Sequence, residues 1–373
     1  MSFAPELFND APDTQTQAKL VSLFWPGTSW RSEDFSAFFR YFNERILLLK
    51  WSYCIDHNQF AAQTFDDLIA VVEVMRIKNQ RTREEVSRSI RQLPQFQRKQ
   101  ATDLQILNSM ALAGCVWLTM EIRMSDQLYG PASGASEAAS WGPLDTLVDV
   151  VKQRFQTFKF NPATGEAQLD AGFIAINLME VCGIRITWTD NLIDHLYYDS
   201  TPVPRRWWEF WKYQGSGGIV YIYPHKICLA SHHASTDILG KELLEETMKS
   251  LDLLFPFGDS RTRGHLIKER HPFFLAETPT FPRTMDLSDF NFWRRRIIIL
   301  YDVFHAPPSR MHQIWKDRRN PMQWWTFWLA GLIVIITVVF GVISAYMAPK
   351  SLGLANLTYR LSILQACNQD TAI

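Results

Sequence analysis

The chain has 373 residues, of which 47% are hydrophobic, and its 38 basic side chains are balanced by 38 acidic ones. This composition is typical of a globular protein and excludes an intrinsically disordered or collagen-like chain. Because the net charge is zero, no overall field attracts nucleic acid, and we expect no nucleic-acid partner.

Residues 1–129 carry helical periodicity and are predicted to form an N-terminal helical region. Two runs have apolar residues at steps of three and four: Phe35, Phe38, Phe39, Phe42, Ile46 and Leu49, then Phe65, Leu68, Ile69, Val72 and Met75. Thr82 and Glu85 form a capping-box pattern that predicts a helix through Ile90. A long, mostly apolar stretch from Leu104 to Met120 predicts a buried helix.

Residues 130–142 are rich in Gly, Ala and Ser and are predicted to be a flexible linker to a second helical domain, residues 143–306. Helices are predicted over 144–158, 169–181, 243–254 and 290–303. The alternating run 184–188 and the β-branched, aromatic run 219–223 predict two short strands. A short helix over 189–199, capped by Thr189 or Asp190, is expected between them. The predicted fold class is mainly α, with a small β element.

Thirty consecutive residues between Arg319 and Lys350 carry no charge. Residues 324–348 are predicted to form a transmembrane helix, since about 36 Å of helix exceeds a hydrocarbon core of about 30 Å. Trp324, Trp325 and Trp328 lie at one end and Tyr346 at the other, where aromatic rings favour the membrane interface. The alternative, a buried core helix, is disfavoured because soluble helices of this length carry a polar face.

Basic residues are unequally distributed around this segment. Residues 307–323 form a basic juxtamembrane segment with Arg310, Lys316, Arg318 and Arg319, whereas only Lys350 and Arg360 follow the span. The positive-inside rule therefore predicts a single-pass protein with a cytosolic N-terminal domain and a short non-cytosolic tail, residues 349–373. Which organelle holds it is not predicted.

Biogenesis is predicted from both ends of the chain. The first twenty residues lack the basic and apolar regions of a signal peptide. Because 26 residues follow Met347, we expect post-translational, tail-anchored insertion. The sequon at Asn356 is expected to stay unused, since it lies nine residues from the span.

Several segments carry a family resemblance: Ile186–Leu196, Leu251–Pro256 with Asp259, Thr262 and Arg263, then Trp315–Arg319 continuing into Gln323–Trp328, and the ending Leu364–Gln369. On these segments the chain resembles an uncharacterised family of filamentous-fungal (ascomycete) single-pass membrane proteins. The resemblance covers about residues 170 to 369. It implies a cytosolic helical domain followed by a C-terminal transmembrane helix, and it implies no biochemical activity.

No residue pattern predicts a catalytic site, a cofactor or a metal. The nine histidines and five cysteines lack the spacing of metal ligands, and neither Gly-rich stretch matches a P-loop. Asp190, Asp194 and His195 come nearest to an acid–base cluster, with both carboxylates on one predicted helix face. Capping and packing explain these residues with fewer assumptions, so we predict that the protein is not an enzyme.

Two features of the sequence suggest contacts at the membrane. Thr337, Gly341 and Ala345 recur at four-residue steps, a spacing that lets two helices approach closely and motivates the hypothesis of a homo-oligomer. The alternative is that these small residues face lipid. Arg294, Arg295 and Arg296 are candidates for contact with anionic headgroups.

Three functional hypotheses follow. The first is a membrane-anchored cytosolic interaction or scaffold module that binds the lipid bilayer, a protein partner and a second copy of itself. The second is a subunit of an oligomeric pore or transporter-like assembly with the layout of CorA-type magnesium transporters, although a second span and the Gly-Met-Asn signature are missing. The third is a membrane-bound enzyme with a pocket near Trp188 and His195.

Overall fold

In a computed structural model of the protein, the described residues are 6–51, 57–124, 138–157, 168–200, 218–235, 238–271, 278–306 and 321–370. Helices make up 61% and strands 7%, so the mainly α prediction with a small β element is confirmed. The chain divides into two compact units, Met1–Pro307 and Pro308–Ile373.

The first unit begins with six helices: α1 (Thr14–Phe24), α2 (Ser36–Trp51), α3 (Phe65–Ile77), α4 (Arg83–Arg91), α5 (Pro94–Arg98) and α6 (Asp103–Leu118). All four helices predicted for this region are confirmed. Thr64, Thr82 and Thr102 start α3, α4 and α6 because each hydroxyl accepts a backbone N–H of the first turn. Helix α6 is buried along most of its length and packs on α3 and α4, which makes it the centre of this half.

Two three-residue strands follow and pair in parallel: β1 (Ile122–Met124) and β2 (Ala139–Trp141). Strand β2 lies inside the predicted flexible linker 130–142. At its described end, this segment therefore forms a strand where a flexible linker was predicted. Ala139 and Trp141 are buried, and Arg83 donates a hydrogen bond to the Trp141 carbonyl over 2.9 Å. Buried residues before and after this segment belong to one continuous hydrophobic core.

The rest of the unit contains α7 (Leu147–Arg154), α8 (Ala175–Glu180), α9 (Lys226–Ser235), α10 (Lys241–Leu254), α11 (Ser260–Lys268) and α12 (Arg294–His305). Three strands form a sheet in which β5 (Ile219–Ile222) pairs in parallel with β3 (Arg185–Trp188) and antiparallel with β4 (Tyr198–Asp199). Both predicted strands are confirmed. Helices α7 and α8 are shorter than predicted; Gly172, for example, donates to the Asp170 carboxylate in a turn before α8.

The helix predicted over 189–199 is wrong. Residues Leu192–Asp194 form one 3₁₀ turn, and Asn191 caps it instead of Thr189 or Asp190. Leu196 then has a φ of 58°, a left-handed conformation that ends any helix, and its N–H donates to the Tyr221 carbonyl over 2.8 Å. The chain is thereby directed into β4 beside β5.

The second unit is described as one helix, α13 (Pro321–Asp370), of 50 residues. It includes the whole predicted span and continues through most of the predicted tail. Pro349 lies inside it, although a proline offers no N–H to the carbonyl four residues earlier.

Candidate functional site

Helix α13 is long and apolar enough to cross a membrane. Its candidate span covers Trp325–Ile363, with a mean hydropathy of 2.6 in the most apolar window, and none of that window is buried. Large apolar side chains are exposed on opposite faces: Ile333 and Phe340 on one, Ile335 and Val342 on the other, at 55–64% exposure. A helix that is apolar on every face is suited to lipid, because water solvates large apolar surfaces poorly.

Two hydroxyl groups in the predicted span donate hydrogen bonds within the helix. The Thr326 and Thr337 hydroxyls donate to the carbonyls of Met322 and Ile333, over 3.0 and 2.8 Å. Such bonds remove the main cost of placing a hydroxyl in hydrocarbon.

The predicted interface residues are described in part. Trp325 and Tyr346 are exposed, at 67% and 64%, and the Lys350 ammonium lies 4.5 Å from the centre of the Tyr346 ring. Trp328 is half-buried, with its ring 5.7 Å from that of Phe327. The Trp324 side chain and the basic residues Arg310, Lys316, Arg318 and Arg319 lie outside what the structure describes, so their roles stay predictions.

The predicted helix contact face is open in the described chain. Thr337, Gly341 and Ala345 are exposed, and a Cβ added to Gly341 would have no atom within 4 Å. Self-association through this face stays a prediction.

The structure separates the acid–base residues Asp190, Asp194 and His195. Asp194 is buried and accepts a hydrogen bond from the Asn191 amide over 3.0 Å. His195 is completely buried in another direction, and Asp190 pairs with His225. The predicted shared face of Asp190 and Asp194 does not exist, because residues 189–191 are not helical.

His195 is held neutral by its surroundings. Its Nδ1 accepts the Tyr223 N–H over 3.2 Å, so Nε2 carries the proton and donates to the Ser250 hydroxyl over 2.7 Å. Ser250 in turn donates to the Thr247 carbonyl over 2.7 Å. Burial, with a smaller effect of the Arg296 charge, lowers the pKa of His195 to about 3. This chain of bonds ties β5 to α10 and serves the fold.

Among the described residues, Asp190 and His225 form the shorter of two pairs between a histidine and a carboxylate, with 2.7 Å between Oδ1 and Nε2. Burial alone would raise the pKa of Asp190, but the hydrogen bond and charge of His225, with His271 and Arg40, lower it. The His225 side chain is 1% exposed and that of Asp190 43% exposed. In catalytic dyads the carboxylate is buried and the imidazole meets the substrate, so this pair has the reverse arrangement.

Sequence reasoning missed this pair because 35 residues separate its members. It also missed Glu246, whose buried carboxylate accepts the N–H groups of Asn291, Phe292 and Trp293 over 2.7–2.8 Å. Burial raises the pKa of Glu246. The carboxylate satisfies backbone donors immediately before α12, in the manner of a helix cap.

Among the described residues, no group of three or more His, Cys, Asp or Glu side chains is arranged to hold a metal ion. No protein-family model, curated protein or solved structure matches the chain.

Proposed function

We propose that this protein is a membrane-anchored interaction or scaffold module, with a cytosolic helical domain held at a lipid bilayer by one C-terminal span. The observation that carries the proposal is the exposure of α13 on all sides over an apolar length that exceeds the bilayer core. The first unit has its own hydrophobic core from Leu7 to Phe304, so its packing does not require the apolar surface of α13.

Membrane extraction tests the anchor. Ile335 and Val338 lie near the middle of the span and are 62% and 60% exposed. An arginine at the centre of a membrane helix costs about 2.5–3.5 kcal/mol, so Ile335→Arg with Val338→Arg should release the protein from carbonate-washed membranes. Ile77→Arg with Ile267→Arg, at exposed sites of the first unit, is the matched control and should stay in the pellet. Release of the wild-type protein by carbonate would overturn the anchor.

Protease protection tests the orientation. In sealed microsomes with the cytosolic side outward, an N-terminal epitope should be digested and a C-terminal epitope protected, as the excess of basic residues before the span predicts. Protection of the N-terminal epitope would reverse the proposed topology while leaving the anchor intact.

Crosslinking tests the self-association part of the proposal. In membranes, Gly341→Ile with Ala345→Ile should abolish a crosslinked dimer, because the added methyl groups keep two helices apart. Val339→Phe with Ile343→Phe enlarges the opposite face and should leave the dimer intact. A wild-type protein that never crosslinks would refute a homo-oligomer, and ion flux through liposomes holding purified protein would favour the pore hypothesis instead.

A further inference from the structure

Two of the three arginines expected at lipid headgroups are engaged inside the first unit. Arg294 is buried and donates to the carbonyls of Leu287 and Ser288. Arg296 donates from Nη1 to two backbone carbonyls, over 2.7 and 2.5 Å, and its guanidinium carbon lies 5.2 Å from the centre of the Trp293 ring. Both side chains serve the packing of α12. A group of basic side chains that face solvent lies elsewhere, on α3, α4 and α5.

Basic residues are in excess between the end of α3 and the start of α6. Residues 76–103 contain eight lysine and arginine residues and three acidic ones, a net charge of +5, although the whole chain is neutral. Arg83 is buried and donates to a backbone carbonyl, and Arg76 is half-buried. The other six basic residues are exposed: Lys78, Arg81, Arg88, Arg91, Arg98 and Lys99. Most of the excess positive charge therefore lies at the surface.

The packing of α3 on α4 brings three of these cations together. In the turn between the two helices, the Arg81 N–H donates to the Lys78 carbonyl over 2.9 Å. The Lys78 ammonium donates to the Ser89 hydroxyl over 2.7 Å, which places it beside α4, one residue along from Arg88. Helix α4 buries Val86 on one side and exposes Arg88 on the other. Lys78, Arg81 and Arg88 therefore share one surface.

Carboxylates compensate some of the exposed cations and not others. Arg91 pairs with Asp103, and Lys99 pairs with a half-exposed geometry to the buried Asp67 over 2.6 Å. In the described part of the chain, Lys78, Arg81 and Arg88 have no carboxylate partner. Arg81 also lies just before the N-terminus of α4, where a cation opposes the helix dipole. The fold therefore gives no reason for this charge, and an anionic partner would offset it.

An exposed apolar side chain lies next to these cations. Ile77 is 69% exposed and immediately precedes Lys78 at the end of α3. An aliphatic group among cations suits the boundary between headgroups and hydrocarbon, because anionic headgroups attract the cations while the aliphatic group enters the acyl chains. A nucleic acid would match the charges but would leave Ile77 in water.

We propose that Ile77, Lys78, Arg81 and Arg88 form a basic surface that docks the first unit on the anionic leaflet of the membrane that holds the protein. The inference rests on the proposed function, because a domain tethered to a bilayer meets its lipids at a high effective concentration, where a weak contact is sufficient. Each basic side chain near an anionic leaflet favours the docked state about 5-fold.

Lysine labelling in nanodiscs tests the docking. The purified full chain is reconstituted in discs of phosphatidylcholine alone or with about 30% phosphatidylserine; both leaflets are accessible, so the result does not depend on orientation. An uncharged N-hydroxysuccinimide ester should acetylate Lys78 at least about 5-fold more slowly on the anionic discs, and about 0.5 M sodium chloride should remove the difference. Lys241 is exposed on α10, outside the basic surface, and should react at the same rate on both discs.

Two double variants locate the contact. Arg81→Gln with Arg88→Gln removes two charges from exposed sites and should weaken docking about 25-fold, so that Lys78 reacts alike on both discs. Lys268→Gln with Arg270→Gln removes the same charge from exposed sites at the end of α11 and should leave the protection of Lys78 intact.

The outcomes separate this inference from the proposed anchor. Equal Lys78 rates on both discs for the wild type would overturn the docking on lipid and leave an acidic protein segment as the occupant of the basic surface. An equal loss of protection in the two double variants would overturn it as well. A chain that enters neither kind of disc would instead refute the proposed anchor, on which the inference rests.

Discussion

His195 and His232 are both completely buried, and acid is expected to destabilise the first unit through them. His232 lies on α9, with its Nε2 2.9 Å from the Trp117 carbonyl and its ring edge-on to Trp25. Burial lowers the pKa of His232 to about 4, although the bond to Trp117 raises it slightly, and that of His195 to about 3. Both rings are neutral in the folded protein at neutral pH.

The sign and size of the effect follow from the difference between folded and unfolded states. An exposed histidine has a pKa of about 6.5, so the unfolded chain takes up protons below that pH while the folded chain does not. The stability contributed by the neutral rings is complete above about pH 6.5 and is lost as the pH falls towards 4 and 3. At pH 5 each ring accounts for a loss of about 2 kcal/mol, or about 4 kcal/mol together. Asp190 and Asp259, with lowered pKa values, lose their contribution only at more acidic pH.

Urea unfolding of the full chain in neutral detergent, followed by tryptophan fluorescence at pH 7 and pH 5, measures this loss. His232→Gln removes one titrating ring and should reduce the loss between the two pH values by about 2 kcal/mol, whatever its effect on stability at pH 7. His305→Gln alters an exposed histidine and should leave the loss unchanged. His271, whose pKa burial lowers to about 4, adds in the same direction in every variant. An undiminished loss in His232→Gln would refute the reasoning.

Two further predictions concern the fold of the first unit. Lys226 and Asp252 form a 2.7 Å ion pair, and their side chains are 1% and 14% exposed. Lys226→Met should therefore lower the free energy of unfolding by about 3–5 kcal/mol, because it leaves a buried carboxylate unpaired, and adding Asp252→Asn should restore part of that loss. Equal losses in the single and double variants, measured by urea titration, would contradict this prediction. Gly218 has a φ of 86°, and an added Cβ would collide with the Asp199 carbonyl. Gly218→Ala should therefore lower the free energy of unfolding by about 1–3 kcal/mol and weaken the pairing of β4 with β5, which faster amide exchange would show. Gly240→Ala, also at positive φ but with no atom near the added Cβ, should have a smaller effect.

Periodicity was sufficient for the long elements. The three- and four-residue steps from Phe35 and Phe65 predicted α2 and α3, because burial of one face dictates the spacing. The apolar stretch from Leu104 predicted α6, which is buried along most of its length. Strand β2 escaped detection because three residues carry too little alternation to stand out from a Gly/Ala/Ser-rich segment. The predicted helix over 189–199 failed because the left-handed Leu196 and the pairing of β4 with β5 depend on tertiary contacts.

The polar sites were harder to predict than the helices. Asp190 contacts His225, and Arg154 comes near Arg296, only after the core has packed. No local spacing in the sequence therefore reveals either contact. Arg295 and Arg296 were noticed as part of a basic run. They line a cleft together with Arg154 of α7, which lies more than 100 residues earlier in the chain, so the sequence alone does not reveal it. The charge-free run of α13 needed no tertiary information, because its length and apolar composition are read directly from the sequence.

The continuity of α13 beyond Pro349 changes the geometry of everything that follows the span. A helix advances about 1.5 Å per residue, less than half the rise of an extended chain, at about 3.3 Å. Asn356 is nine residues beyond Met347, so a membrane-crossing α13 holds it about 14 Å from the end of the apolar segment instead of about 30 Å. The active site of a glycosyltransferase that acts at a fixed height above the bilayer would then not reach Asn356. Cys367 would lie about 30 Å from the end of the apolar segment along the same helix, beyond the headgroups.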